Sequence, residues 1–229
     1  MRWNKSVPTR TELRDAKREA VLREAALSFN RRGFHGTSLD EVAQKLGITK
    51  AAIYYYFPNK QTLLKACFES AMDAAFSNLD RARKEGTSGR EKLRMTLAGY
   101  LEHIIDELSI SVVAMEDDVL ATDERDAVKR RRDQFEYAMR DLVREGIQDG
   151  SIVPCDPKLA VFALLGAVHW VTRWFRQNGS WSTSQLAAAL SELLDRALST
   201  HPTPELTRDV ALARVPKKRR VTNAAIPSA

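Results

Sequence analysis

One stretch of this chain gathers side chains whose common chemistry is contact with an extended polyanion. Thr49, Lys50, Ala51, Ala52, Tyr54, Tyr55 and Tyr56 crowd a segment two helical turns long, and Lys60 follows closely. Thr49 and Lys50 can hydrogen-bond to base edges, and alanine methyls can pack on thymine methyls. Tyrosine hydroxyls and the Lys60 ammonium can donate to phosphate oxygens, which sets register without reading sequence. Thr37 and Ser38 stand where a preceding helix would begin, and amides at such a helix start could hold one more phosphate. Aromatics at this spacing can also serve as core, so Tyr55 could equally be half-buried.

Two short helices joined by a sharp turn would position these groups. Leu39, Val42, Ala43 and Leu46 form an apolar stripe on a helix predicted over 37–46. Ala43 is small where two helices must cross closely. Gly47 permits the left-handed backbone of a tight turn. Ile48 and Ile53 then pin a second helix, predicted over 49–56, against the first. Pro58 ends it, because the residue before a proline disfavours helical dihedrals. The pattern is a helix-turn-helix.

Charge supports a nucleic-acid role for this end. Residues 1–60 hold 12 Lys/Arg against 6 Asp/Glu, whereas residues 61–200 hold 18 against 22. A basic front on a mildly acidic body suggests that only the front meets phosphate. Residues 201–229 turn basic again through Lys217-Lys218-Arg219-Arg220.

The rest of the chain reads as all-α. Apolar residues recur at helical intervals over 11–33, 59–83, 90–106, 109–121, 122–146, 157–177 and 182–199, which with the two short helices makes about nine helices. The implied domains are a flexible basic arm (1–10), a three-helix helix-turn-helix domain (11–58), a larger helical regulatory and dimerisation domain (59–200), and a disordered basic tail (201–229). Cys67 and Cys155 have neither CxxC spacing nor a histidine cluster, which argues against a disulfide scaffold, a metal site or a bound cofactor. No apolar run is long enough for a membrane span and the start lacks a signal peptide's apolar core, so a cytoplasmic protein is expected. No nucleophile–base pair and no Gly-rich phosphate loop suggests an enzyme.

The chain closely resembles the DNA-binding domain of TetR-family transcriptional regulators over about residues 13–70, most densely in the segment GFHGTSLDEVAQKLGITKAAIYYYFPNKQTLL. The resemblance implies a homodimer that reads palindromic double-stranded DNA. By position it assigns base reading to Thr49, Lys50, Ala51, Ala52 and Tyr55. Phosphate contact falls to Thr37, Ser38, Tyr54, Tyr56 and Lys60, with Tyr56 in place of the family's common histidine. In the family the C-terminal helices supply a ligand cavity and a four-helix dimer interface. Residues 159–175, apolar nearly all round, and the leucines of the last helix fit the interface. Polar residues out of place nearby, His103, Glu116, His169 and Arg173, are candidate ligand contacts, with Phe162, Trp170 and Trp174 as apolar walls. Each has an ordinary alternative as core, surface or interface. The stretch Trp170-Val171-Thr172-Arg173-Trp174-Phe175 looks like a subgroup that controls lipid, steroid and aromatic-acid catabolism. It implies a repressor released by an acyl-CoA thioester or hydrophobic carboxylate. The basic run Lys129-Arg130-Arg131-Arg132 could then hold a CoA phosphate or simply be a solvated helix face. A regulator controlled by a protein partner remains the alternative.

Overall fold

The computed structural model describes residues 9–106, 119–176 and 179–201. They form eight helices: α1 (Arg10–Gly36), α2 (Leu39–Leu46), α3 (Lys50–Tyr56), α4 (Lys60–Glu85), α5 (Gly89–Asp106), α6 (Thr122–Gln148), α7 (Pro157–Trp174) and α8 (Thr183–Leu198). The helix expected over 109–121, the candidate Glu116, the arm before residue 9 and the tail beyond residue 201 fall outside the described residues. No helix among the described residues is long and apolar enough to cross a membrane.

Helix boundaries follow from capping. Thr9 and Glu12 form a reciprocal capping box at the start of α1: the Thr9 amide donates to Glu12 Oε2 (2.6 Å) and the Glu12 amide to Thr9 Oγ1 (3.2 Å). Asn59 caps α4 by accepting from the Thr62 amide at 2.7 Å. Asp156 with Pro157 opens α7, and Ser182 with Gln185 boxes the start of α8. Gly33 (φ 70°, ψ 179°) breaks the helical path of α1 as its position suggests, but the chain resumes one more turn to Gly36.

Val21, Leu22, Ala25 and Phe29 of α1 are buried together with Val42 and Ala43 of α2, Ile53 of α3 and Leu63 and Leu64 of α4. Thus α4 belongs both to the head, where α1 packs on it, and to the body, where it packs on α5 and α6. In the body α5 is central, lying against α4, α6, α7 and α8. Its start passes so close to α6 that a Cβ on Gly89 would come within 2.6 Å of the Gly146 Cα. Arg90 ties α5 to α8 through a two-pronged ion pair with Asp195 (2.8 and 2.5 Å).

Candidate functional site

Gly47 closes α2 in the left-handed region (φ 64°, ψ 30°), and its amide donates to Gln44 O at 3.1 Å. That turn sets α3 across α2 and leaves Ile53 fully buried beneath it. Thr49, Lys50, Ala51, Tyr54 and Tyr55 face outward, Ala52 and Tyr56 partly so. Tyr55 is 76% exposed, so the half-buried alternative does not hold for it. Its ring meets that of Tyr56 edge-on at 5.1 Å, which steers both aromatics along one edge of α3. Thr49 Oγ1 accepts from the Ala52 amide at 3.2 Å, and its own hydroxyl proton remains available to donate.

One expectation at the start of α2 changes. Thr37 is buried (4% exposed), its hydroxyl donates to Gly33 O at 2.8 Å and its amide donates to Phe34 O. Both donors are spent inside the protein, so Thr37 braces the Gly33 turn instead of offering a side-chain contact to phosphate. Ser38 is the N-cap of α2 and makes no side-chain capping bond. The first turn of α2 also carries Asp40 and Glu41, carboxylates that oppose an incoming phosphate. Each is matched by a cation: Glu41 by Arg32 and Asp40 by Lys50, whose Nζ lies 2.7 Å from Oδ2. The Asp40 hydrogen bond raises the Lys50 pKa, so the ammonium stays charged. Lys60 Nζ sits 4.4 Å from the Phe34 ring centroid, a cation–π contact that fixes the start of α4 beside α1.

In the body the sequence-selected residues do not converge. Phe162, Trp170 and Trp174 point to solvent, with Trp170 66% exposed. With Leu159 they lie on one face of α7, and Leu193 of α8 is also exposed. Arg173 is exposed as well. The reason is geometric: α7 buries only Ala160, Val161, Leu164, Val168 and Val171 against its neighbours, so the opposite apolar stripe is left uncovered among the described residues. Two open clefts among the described residues lie elsewhere. One is lined by Asp73, Phe76, Arg81 and Lys84 on α4, another by Phe76 and by Ala127, Arg130, Arg131 and Gln134 on α6.

His169 is the exception, because it reaches inward. Its Nε2 is 2.9 Å from the hydroxyl of Tyr100, a buried residue of α5 that the sequence reading missed. Burial, helped by the nearby Arg132 guanidinium, pushes the His169 pKa down to about 4. Burial pushes the Tyr100 phenol far up, against a smaller opposing pull from Arg132. The neutral histidine and neutral phenol therefore form a polar pair with a cation beside it, set against the ring of Phe135. His103, partly buried, lies three residues along α5 from Tyr100, on the same helical face. That spacing was the available signal for Tyr100.

Comparison with known proteins agrees with this layout. Residues 21–67 match the family described as bacterial regulatory proteins, tetR family, and residues 86–198 match the tetracyclin repressor-like C-terminal domain. The chain is 27% identical over 197 residues to the transcriptional repressor KstR2 of Rhodococcus jostii, covering 83% of this chain and 96% of that one. Among solved structures it resembles the TetR-family regulator PfmR of Thermus thermophilus (28% identity, TM-score 0.67, 77% and 97% of the two chains). It also resembles AibR solved with isovaleryl coenzyme A and operator DNA (27% identity, TM-score 0.65, 77% and 97%).

Proposed function

The chain belongs to the TetR family of transcriptional regulators, and from that premise we propose that it is a homodimeric repressor released from a palindromic operator by a small ligand, a hydrophobic carboxylate or its acyl-CoA thioester. The head carries the DNA reading through Thr49, Lys50, Ala51, Ala52 and Tyr55. Ser38, Tyr54, Tyr56 and Lys60 hold phosphate. Two such heads, related by a two-fold axis, read two half-sites. The dimer reading is supported by the exposed face of α7, whose Leu159, Phe162, Trp170 and Trp174 would be buried against a second copy.

The observation that carries the ligand reading is the Tyr100–His169 pair with Arg132 beside it. Buried polar groups inside an apolar bundle fix orientation for a ligand, and a cation there suits an anionic or carbonyl-bearing one. AibR, a relative of similar fold, is known with an acyl-CoA, which supports the thioester class. Release then follows from a ligand that prefers one dimer geometry, so that the spacing of the heads no longer matches the operator. The exposed apolar face on α7 also favours a second reading, in which a different protein docks there and controls DNA binding.

Calorimetric titration with acyl-CoA thioesters of graded chain length, and with the matching free acids, tests the ligand claim. One class should bind the wild type and lose about tenfold or more in affinity to Tyr100→Phe, which removes a buried hydrogen-bonding group. Binding by none of them would transfer the regulation to the protein partner.

A further inference from the structure

We infer that Asp40 is a specificity-determining residue of the DNA-binding head: paired with Lys50, it reserves the lysine for a guanine and keeps it off phosphate. This rests on the DNA-reading role of α3 proposed above. Asp40 stands in the first turn of α2 and Lys50 in the first turn of α3, so the turn at Gly47 brings residues ten apart in sequence to 2.7 Å. Both side chains are exposed, so the pair does little to hold the fold together.

A carboxylate on a face that must meet DNA is costly unless it has a task. An unpaired lysine on a flexible four-carbon stem would settle on any phosphate within reach, which adds affinity for all DNA alike. With Asp40 attached, that option is closed. A phosphate approaching the ammonium would also approach the carboxylate, and two like charges would be held together with little water between them.

A guanine edge is different. The ammonium has three protons. One stays on Asp40 Oδ2, and two remain for N7 and O6, the neighbouring acceptors that guanine alone presents in the major groove. Neither acceptor carries a formal charge, so the carboxylate does not oppose the contact. The partner cytosine adds an N4 amino donor on the same groove edge, a further group that a carboxylate can accept from. The two free ammonium protons of the Asp40–Lys50 pair thus meet two acceptors on guanine but only one, N7, on adenine, and the pair is repelled by bare phosphate.

Selection of bound sequences from a random double-stranded DNA pool tests this with full-length protein, comparing wild type, Asp40→Ala and Asp40→Asn. The wild type should enrich a motif with a guanine in each half-site. Asp40→Ala should lose preference at that position by about tenfold. On a non-operator duplex it should bind tighter, with a steeper salt dependence, by about one unit of slope or about 3.5-fold between 50 and 200 mM salt. Asp40→Asn, which keeps an acceptor but no charge, should show the steeper salt slope with a smaller loss of guanine preference. Unchanged thermal melting would confirm that the variants are folded. If Asp40→Ala enriches the wild-type motif with undiminished guanine preference, or weakens all DNA binding equally, the inference is overturned. A wild type that enriches no motif at all overturns the DNA-reading role itself.

Discussion

The His169–Tyr100 contact gives the body a specific acid sensitivity. In the folded chain His169 is held neutral with a pKa of about 4, against an unperturbed value near 6.5. The folded state therefore binds fewer protons than the unfolded one between these two values. Stability from this group is complete above about pH 6.5 and is lost as the pH falls toward 4. With about 1.4 kcal/mol for each pH unit, the loss is about 2 kcal/mol at pH 5 and about 3 kcal/mol at pH 4 and below. The charges facing the histidine agree in direction, since Arg132 from α6 repels a second cation and the Tyr100 phenol from α5 stays neutral. Urea unfolding of wild type and His169→Gln at pH 7.5 and pH 5.0 isolates the effect. Glutamine does not titrate, so the variant should start less stable at pH 7.5, and its loss on acidification should be about 2 kcal/mol smaller than the wild type's. If both proteins lose the same stability between these pH values, the buried neutral histidine is not what the geometry implies.

Other substitutions separate the head, the dimer face and the link between them. Lys60→Ala should weaken binding to operator and non-operator DNA alike and flatten the salt dependence by about one unit of slope, measured by fluorescence anisotropy across a salt series. Trp170→Asp removes apolar burial of about 2 kcal/mol or more from each subunit of a symmetric dimer. The dimer dissociation constant should rise about a thousandfold in sedimentation equilibrium, with loss of tight operator binding. Lys65 on α4 meets Glu124 on α6 at 3.3 Å, bridging the helix that leaves the head to the body. Lys65→Ala should change DNA affinity by less than about threefold. It should, however, shift the ligand concentration needed for release, which titration of the preformed complex would read.

The head was legible because its physics is local. The apolar stripe Leu39, Val42, Ala43, the glycine at 47 and the proline at 58 act over a few residues, and α2 and α3 fall within two residues of where those signals put them. What the pattern hid were contacts across the turn. Nothing in the spacing of Thr37 shows that its hydroxyl returns to Gly33, and nothing in that of Asp40 shows that it meets Lys50. The body was legible as helices but not as a site. A helix apolar on every side must be covered all round, but periodicity does not say whether the cover is the same chain or another. That ambiguity put Phe162, Trp170 and Trp174 in a pocket, whereas they stand on the outer face of α7. His169 stood out as a polar residue in an apolar helix, while Tyr100 did not. The basic run at 129–132 splits by helical phase, with Lys129 and Arg130 exposed and Arg131 and Arg132 half-buried.

A repressor that a ligand releases must hold its operator in the ligand's absence and let it go in the ligand's presence. Fluorescence anisotropy on the DNA upstream of the protein's own gene, with excess competitor DNA and then a series of acyl-CoA thioesters and free acids, tests this requirement most directly. Tight, competitor-resistant binding that one ligand class reverses is the expected result. Binding no tighter than to competitor DNA, or tight binding that no ligand in the series reverses, would contradict it.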